Sequence, residues 1–224
     1  RSRIQDAMRV LRRLIRPTGF IVAILGPDGS GKTTVIEHLE AEFAPAFRGV
    51  RRFHLRPHFG RSSGGAPVSN PHAQEPRGGF TSFLKIGMFL ADYWSSWLRE
   101  VMPSKLRSSL IVFDRYYHDL LVDRRRYRLP ERFALPRWIS PLIPQPDLWL
   151  VLDAPAEKLV ARKGEISMES ARCLTAAYAA LADRLPNAVI IDSGGSIEET
   201  LQAAVRAVRE RLGARAQRRL RQLL

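Results

Sequence analysis

A single cysteine, Cys173, stands in 224 residues, so no internal disulfide can form and packing must hold the chain together. Cys173 falls in an alanine-rich helical context and is expected in the core, and a reducing, cytoplasmic setting is the matching expectation. Lysine is also scarce: five of the 36 basic residues are lysine and the rest arginine. No apolar run approaches the length of a bilayer span, and no signal-peptide pattern opens the chain. Among the five histidines, His54, His58 and His72 share one segment without metal-ligand spacing, so no zinc constellation is expected. No internal repeat is visible.

What is present suits one α/β domain. Apolar residues make up 45% and charged residues 26%, which excludes global disorder at this length. The net charge of +14 attracts anions: nucleotides, phosphorylated metabolites, nucleic acid or an anionic membrane face. Arginine recognises phosphate through a planar, bidentate fork, although a GC-rich coding sequence gives the same arginine bias. The charge is compatible with phosphate chemistry without identifying it.

The most specific feature is Gly26-Pro27-Asp28-Gly29-Ser30-Gly31-Lys32-Thr33-Thr34. It fits the phosphate-loop pattern Gly-x4-Gly-Lys-[Ser/Thr] at every fixed position. Phe20-Ile21-Val22-Ala23-Ile24-Leu25 before it reads as a buried strand, and Thr34-Val35-Ile36-Glu37-His38-Leu39 after it has helical spacing. Glycines allow the backbone to curl so that successive N–H groups and the helix N-terminus face phosphate oxygens. The pattern assigns Gly26, Asp28, Gly29, Ser30, Gly31, Lys32, Thr33 and Thr34 to binding ATP. Lys32 is expected at the β- and γ-phosphates, with the Thr33 hydroxyl at Mg2+.

Residues 1–16 have Ile4, Met8, Leu11 and Ile15 on one helical face amid arginines. Such a basic amphipathic helix suits packing on its own domain, or contact with a membrane surface or partner domain. The chain begins with Arg and not Met, which allows it to be a fragment of a longer protein. Residues 18–212 form the expected domain, with a flexible loop over 56–79, a lid region over 155–170, and a basic tail over 213–224 read as solvated helix or frayed end. Strands are predicted at Val50-Arg51-Arg52-Phe53-His54-Leu55, Leu110-Ile111-Val112-Phe113-Asp114, Leu148-Trp149-Leu150-Val151-Leu152-Asp153 and Ala188-Val189-Ile190-Ile191-Asp192, besides the first. Helices are predicted from 83 to about 101 and over 156–162, 167–184 and 196–212. Strands alternating with helices imply a five-stranded parallel sheet covered on both faces, with ligands beyond the carboxyl ends of the strands. Asp114, Asp153 and the glycine-rich loop all fall at such ends.

Three segments in order resemble thymidylate kinase and its relatives among the P-loop nucleoside-monophosphate kinases. They are the GPDGSGKTT loop, Ile111-Val112-Phe113-Asp114-Arg115-Tyr116, and Pro146-Asp147-Leu148-Trp149-Leu150-Val151-Leu152-Asp153-Ala154-Pro155, which leads into a lid with Arg162, Lys163 and Glu165. The resemblance spans roughly residues 19 to 212 and implies a three-layer P-loop sandwich with a short lid. It implies that Asp114 acts near magnesium and acceptor, that Arg115 clamps the acceptor's phosphate, and that Lys32, Asp114, Arg115 and Arg162 form the catalytic set. Asp28 corresponds to a carboxylate touching the acceptor sugar, or forms an Asx turn within the loop. Arg162 and Lys163 resemble the lid cations over the transferring phosphoryl group, or are solvated helix charges. Phe89 falls where the family stacks a phenylalanine on the acceptor base, or is core. Arg56, in Leu55-Arg56-Pro57, is similar to the arginine after the second strand.

The departures concern the acceptor. The Glu and Gly-Gly-Thr usual around Arg56 are missing, and Tyr93 stands where the family has arginine. Tyr93 and Tyr116 are expected at the acceptor site. The run Tyr117-His118-Asp119-Leu120-Leu121-Val122-Asp123 lacks the Tyr-Gln pair that helps read thymine. The expected activity is therefore ATP- and Mg2+-dependent phosphoryl transfer to a small phosphorylated acceptor, with thymidine monophosphate as default. A sugar phosphate or other small metabolite is the alternative. A nucleotide-dependent switch or ATPase is the reading from another class, encouraged by the arginine tracts at 9–16 and 123–128. No nucleic-acid platform of interleaved aromatic and basic residues stands out. A homodimer is a further expectation from the family.

Overall fold

Six consecutive apolar residues, Phe20–Leu25, form β1, and every one is buried. A strand covered on both faces calls for such a run, since neither side meets water. The computed structural model describes residues 17–55, 79–124, 126–127, 135–163 and 166–222. The expectations for residues 1–16, Arg56, His58 and His72 lie outside these.

After β1 comes helix α1 (Lys32–Phe43), then β2 (Val50–His54), α2 (Gly79–Ser96), which runs through a π-helical turn (Trp97–Val101) into α3 (Met102–Leu106), and β3 (Leu110–Asp114). The short helices α4 (Asp119–Val122) and α5 (Leu135–Ile139) lead to β4 (Leu148–Asp153), α6 (Ala156–Lys163), α7 (Met168–Ala182), β5 (Ala188–Asp192) and α8 (Ile197–Arg221). The five strands form one wholly parallel sheet in the order β2-β3-β1-β4-β5. This is the α/β class the alternation predicts, and the strands agree with the predicted ones to within a residue.

Strand alternation divides the core. Phe20, Val22 and Ile24 face Val35, Ile36 and Leu39 of α1 and Ala204, Val205 and Val208 of α8. Ile21, Ala23 and Leu25 face the opposite layer, which includes Tyr93, Trp97, Tyr116 and Tyr178. Burying this apolar surface on both sides supplies the main favourable term for folding. The chain leaves β1 toward β2 and β3 on one side and later fills β4 and β5 on the other. A crevice therefore opens at the carboxyl end of β1, the usual ligand position in such sheets.

Two expectations need correction or extension. Cys173 is exposed and not in the core, because it lies on the outward side of α7 while Ala171 and Tyr178 face inward. The segment beyond 212 continues α8 without a break to Arg221, capped at its start by a Ser196–Glu199 capping box. The arginines of this part of α8 are used: Arg211 Nε, just before that point, donates to the Asp147 carbonyl (2.9 Å), Arg215 to Gly19 (2.8 Å) and Arg219 to Pro17 (2.6 Å). These bonds satisfy carbonyls just before β1 and, at Asp147, just before β4. Among the described residues, no helix is long and apolar enough to cross a membrane.

Candidate active site

The loop over 26–31 joins the end of β1 to the start of α1. Gly26, Gly29 and Gly31 have φ of 144°, 88° and 90°, values that side chains disfavour. At Gly26 space is short as well: a Cβ there would sit 2.8 Å from the Leu152 carbonyl oxygen and 3.0 Å from Ser30 Oγ. Gly31 is the N-cap of α1, no side chain caps that end, and no acidic residue occupies the first turn. The N-terminal amides of α1 are thus not claimed by a capping side chain, and the helix dipole there favours an anion.

Lys32 is 8% exposed and turns back over the loop, donating from Nζ to the carbonyls of Gly26 (2.8 Å) and Pro27 (2.7 Å). Burial, then the nearby Arg115 cation, lowers its pKa to about 8, against the opposing pull of Asp28. Ser30 Oγ is buried and has no hydrogen-bond partner among the described residues. A buried hydroxyl left open in this way marks a place where a ligand or water completes the structure. Thr33 and Thr34 are exposed on the first turn of α1.

Asp114 ends β3, level with Ile24 of β1 and His54 of β2. His54 Nδ1 lies 3.2 Å from its Oδ2, and Arg52 Nη2 lies 3.7 Å from the same oxygen. Burial would raise the Asp114 pKa, but the His54 contact and the charges of Lys32 and Arg115 bring it below the usual value. From the far side, Arg162 of α6 donates from Nη1 to the Gly29 carbonyl at 2.8 Å. The expected lid cation and the loop are therefore in contact. Between them and the start of α8 lies a cavity of about 240 Å³ lined by Gly31, Thr34, Val35, Ser193, Ile197 and Leu201, among others.

Arg115 differs from expectation. It is 3% exposed, adopts a left-handed φ of 68°, and donates from Nη1 to Asp119 Oδ2 at 2.5 Å and from Nη2 to Asp28 Oδ1. Burial opposes its charge, yet Asp119 and Asp28 raise its pKa above the ordinary arginine value. Asp28 also accepts from Arg126. Burial would raise the Asp28 pKa, but Arg115, Lys32 and Arg126 together hold it well below the usual carboxylate range. Asp28 is therefore an ion-pair hub, with Arg115 committed to two carboxylates in place of an open clamp.

Tyr93 and Tyr116 require a plain correction. Both are 0% exposed and pack edge to face with ring centroids 5.6 Å apart, and Tyr116 donates its hydroxyl to the Pro144 carbonyl (2.5 Å). They are core residues and do not line an acceptor site, because the face of α2 that carries Tyr93 is the one packed on the sheet. Phe89 lies on α2, while its side chain and that of Lys163 lie outside the described residues, as does Glu165.

Sequence reasoning passed over Asp119, Arg126 and His54. Asp119 stands i, i+4 from Arg115, but that spacing brings opposite charges together on a helix, and Arg115 is left-handed outside one, so the spacing gives no reliable signal. Arg126 sits in an arginine tract that gives no hint of a partner 98 residues away. His54 meets Asp114 only through strand register, which the sequence does not print. No family model matches the chain, and no curated protein matches it significantly.

Proposed function

We propose that this chain is a P-loop phosphotransferase that uses ATP and Mg2+, as its motifs' similarity to thymidylate kinase implies. The observation that carries the reading is the glycine loop at the sheet crevice: an uncapped helix N-terminus, an unpartnered Ser30 hydroxyl, and Lys32 folded over loop carbonyls. Each is the counterpart a polyphosphate requires. A triphosphate would replace the Gly26 and Pro27 carbonyls as partner of Lys32. The 240 Å³ cavity beside Arg162 is of a size and polarity suited to part of the nucleotide.

Thr33 and Asp114 supply the oxygen donors that suit Mg2+, and the ion would neutralise charge on the phosphates when bound. The chain's own part is positioning. The loop amides and Lys32 orient the phosphates, and Arg162 brings a cation from the lid side to the oxygens that gain charge. Asp114, lowered in pKa and held by His54, stays ionised at the strand end facing the loop.

Arg115's enclosure between Asp28 and Asp119 favours a second reading of the acceptor within the same class. A nucleoside monophosphate held by Arg115 would have to break an ion pair first. A small metabolite that does not depend on that clamp would not. Mg-ATP calorimetry, followed by ADP release against thymidine monophosphate, other nucleoside monophosphates, sugar phosphates and unphosphorylated alcohols, tests both points. Indifference to Mg-ATP removes the phosphotransferase reading, and the acceptor that accelerates ADP release chooses between the two.

A further inference from the structure

The positive charge is unevenly spread along the chain. Residues 1–16 carry six arginines against one acid, Asp6, and residues 213–224 carry four arginines and no acid. Nine of the fourteen net charges therefore sit in 28 of the 224 residues, which sets these two segments apart from the rest. The fold joins them. Arg215 and Arg219 of α8 both donate to the Pro17 carbonyl, the latter at 2.6 Å. Pro17, the point where residues 1–16 attach, thus lies against the last turns of α8.

The same end of the sheet carries further cations. Arg48 precedes β2 and Arg107 precedes β3. The Arg48 N–H donates to the Ser108 carbonyl at 3.1 Å, and the Ser108 hydroxyl meets that of Thr18, so both arginines stand near the entry to β1. Arg48, Arg107, Arg218 and Arg221 are exposed, and none of their guanidinium groups has a hydrogen-bond or ion-pair partner among the described residues. The carboxylate ahead of β4, Asp147, is already paired with Lys105 at 3.0 Å. Leu220, 62% exposed, sits among the arginines of the last turn of α8.

The composition of these segments chooses among anionic partners. Residues 1–16 place Ile4, Met8, Leu11 and Ile15 at helical spacing amid the arginines. A lipid surface can bury such an apolar stripe, whereas a nucleic-acid backbone offers it nothing. Arginines held near an anionic leaflet add attraction, and the two contributions together bind where either alone is marginal. The placement is also compatible with a working crevice. These arginines are at the amino ends of the strands, while the loop over 26–31 leaves the carboxyl end of β1.

We infer that the amino end of the sheet docks on an anionic lipid bilayer. Residues 1–16 lay their apolar stripe at the headgroup boundary, and Arg48, Arg107, Arg218 and Arg221 face the headgroups. The glycine loop then points away from the bilayer and stays open to solutes. The inference is independent of the phosphotransferase reading, since no residue of the candidate active site takes part.

The test is flotation of the intact chain with vesicles of phosphatidylcholine containing about 30% phosphatidylserine, and with vesicles of phosphatidylcholine alone. Binding is expected to the anionic vesicles and to fall steeply in about 0.5 M salt. Arg218→Gln combined with Arg221→Gln should weaken the partition about 25-fold, roughly fivefold for each arginine near the surface. The urea midpoint of this variant should match the wild type, since neither guanidinium is bonded within the described fold. Leu11→Ser should weaken the partition about tenfold by removing apolar contact with lipid, a loss that purely electrostatic adsorption would not show. No binding to the anionic vesicles, equal binding to the neutral ones, or undiminished binding by either variant overturns the inference. Salt-sensitive binding to duplex RNA or DNA without binding to vesicles overturns it as well and assigns the face to a nucleic acid.

Discussion

Arg115 and Asp119 form a buried ion pair across one turn of chain, Nη1 to Oδ2 at 2.5 Å, with the carboxylate 0% exposed. Two further donors reach that carboxylate: the hydroxyl of Tyr178 at 2.5 Å and that of Tyr127 at 2.8 Å. Removing one partner of such a pair strands the other charge in a low-dielectric site. Asp119→Ala should therefore destabilise the protein by about 3–5 kcal/mol in urea unfolding. Arg115→Ala should be of similar size, since Asp119 would keep only its tyrosine donors. A loss under about 1 kcal/mol, the scale of an exposed pair, would show that the network carries no stability.

Lys32 gives a prediction that needs no acceptor. In the free protein its pKa is lowered to about 8, so near that pH a sizeable share of the molecules carry a neutral amine. A bound polyphosphate favours the ammonium form and raises the pKa. Mg-ATP binding at pH 8 should then take up protons, close to half of one per site. The uptake should vanish near pH 6, where Lys32 is already charged, and in Lys32→Arg. Calorimetry in two buffers of different ionisation enthalpy reads this directly. A binding enthalpy equal in both buffers at pH 8 would dissociate Lys32 from the phosphates. Lys32→Ala should in addition lower phosphoryl transfer by about 10²–10³-fold or more with an unchanged circular dichroism spectrum.

Local signals made the frame legible. β1, β3 and β4 are continuous apolar runs because burial on both faces leaves no room for alternation, and such runs are plain in a sequence. The glycine loop was legible for the same reason: tight curvature restricts residue choice at fixed positions. Contacts set by tertiary packing were not. Arg115 follows Asp114 by one residue and reads as a free clamp, yet the chain turns left-handed there and directs it to Asp28 and Asp119. Tyr93 reads as a site residue by position, but rotation of α2 places it in the core. Cys173 shows the converse, since an alanine-rich helix offers two apolar faces and the sequence alone does not choose between them.

His118 makes stability depend on pH in the mildly acidic range. Burial lowers its pKa from 6.5 to about 4, so between these values the unfolded chain binds a proton that the folded chain refuses. Stability from this residue is complete above pH 6.5 and falls as pH drops toward 4, at up to about 1.4 kcal/mol per pH unit and about 3 kcal/mol in all. Urea unfolding of the wild type and of His118→Leu across this range should show a smaller pH slope in the variant. Equal slopes would mean that His118 binds its proton as readily in the fold as in the unfolded chain.

Arg162 separates catalysis from folding more cleanly than any other residue of the candidate site. It is exposed, and its hydrogen bond is to the Gly29 carbonyl at 2.8 Å, so Arg162→Ala should change unfolding by no more than about 0.5 kcal/mol. Its guanidinium nevertheless stands at the edge of the glycine loop, where a transferring phosphoryl group would gain charge on its outer oxygens. Turnover with ATP should fall about 10²–10³-fold while Mg-ATP affinity changes less, because the interaction strengthens as charge develops. Arg162→Lys should recover only part of the rate, since an ammonium lacks the planar fork that meets two phosphate oxygens at once. Stopped-flow measurement of ADP release in the three proteins decides the point. Unchanged turnover in Arg162→Ala would leave the contact with Gly29 as loop support alone and would require the stabilising cation to come from elsewhere.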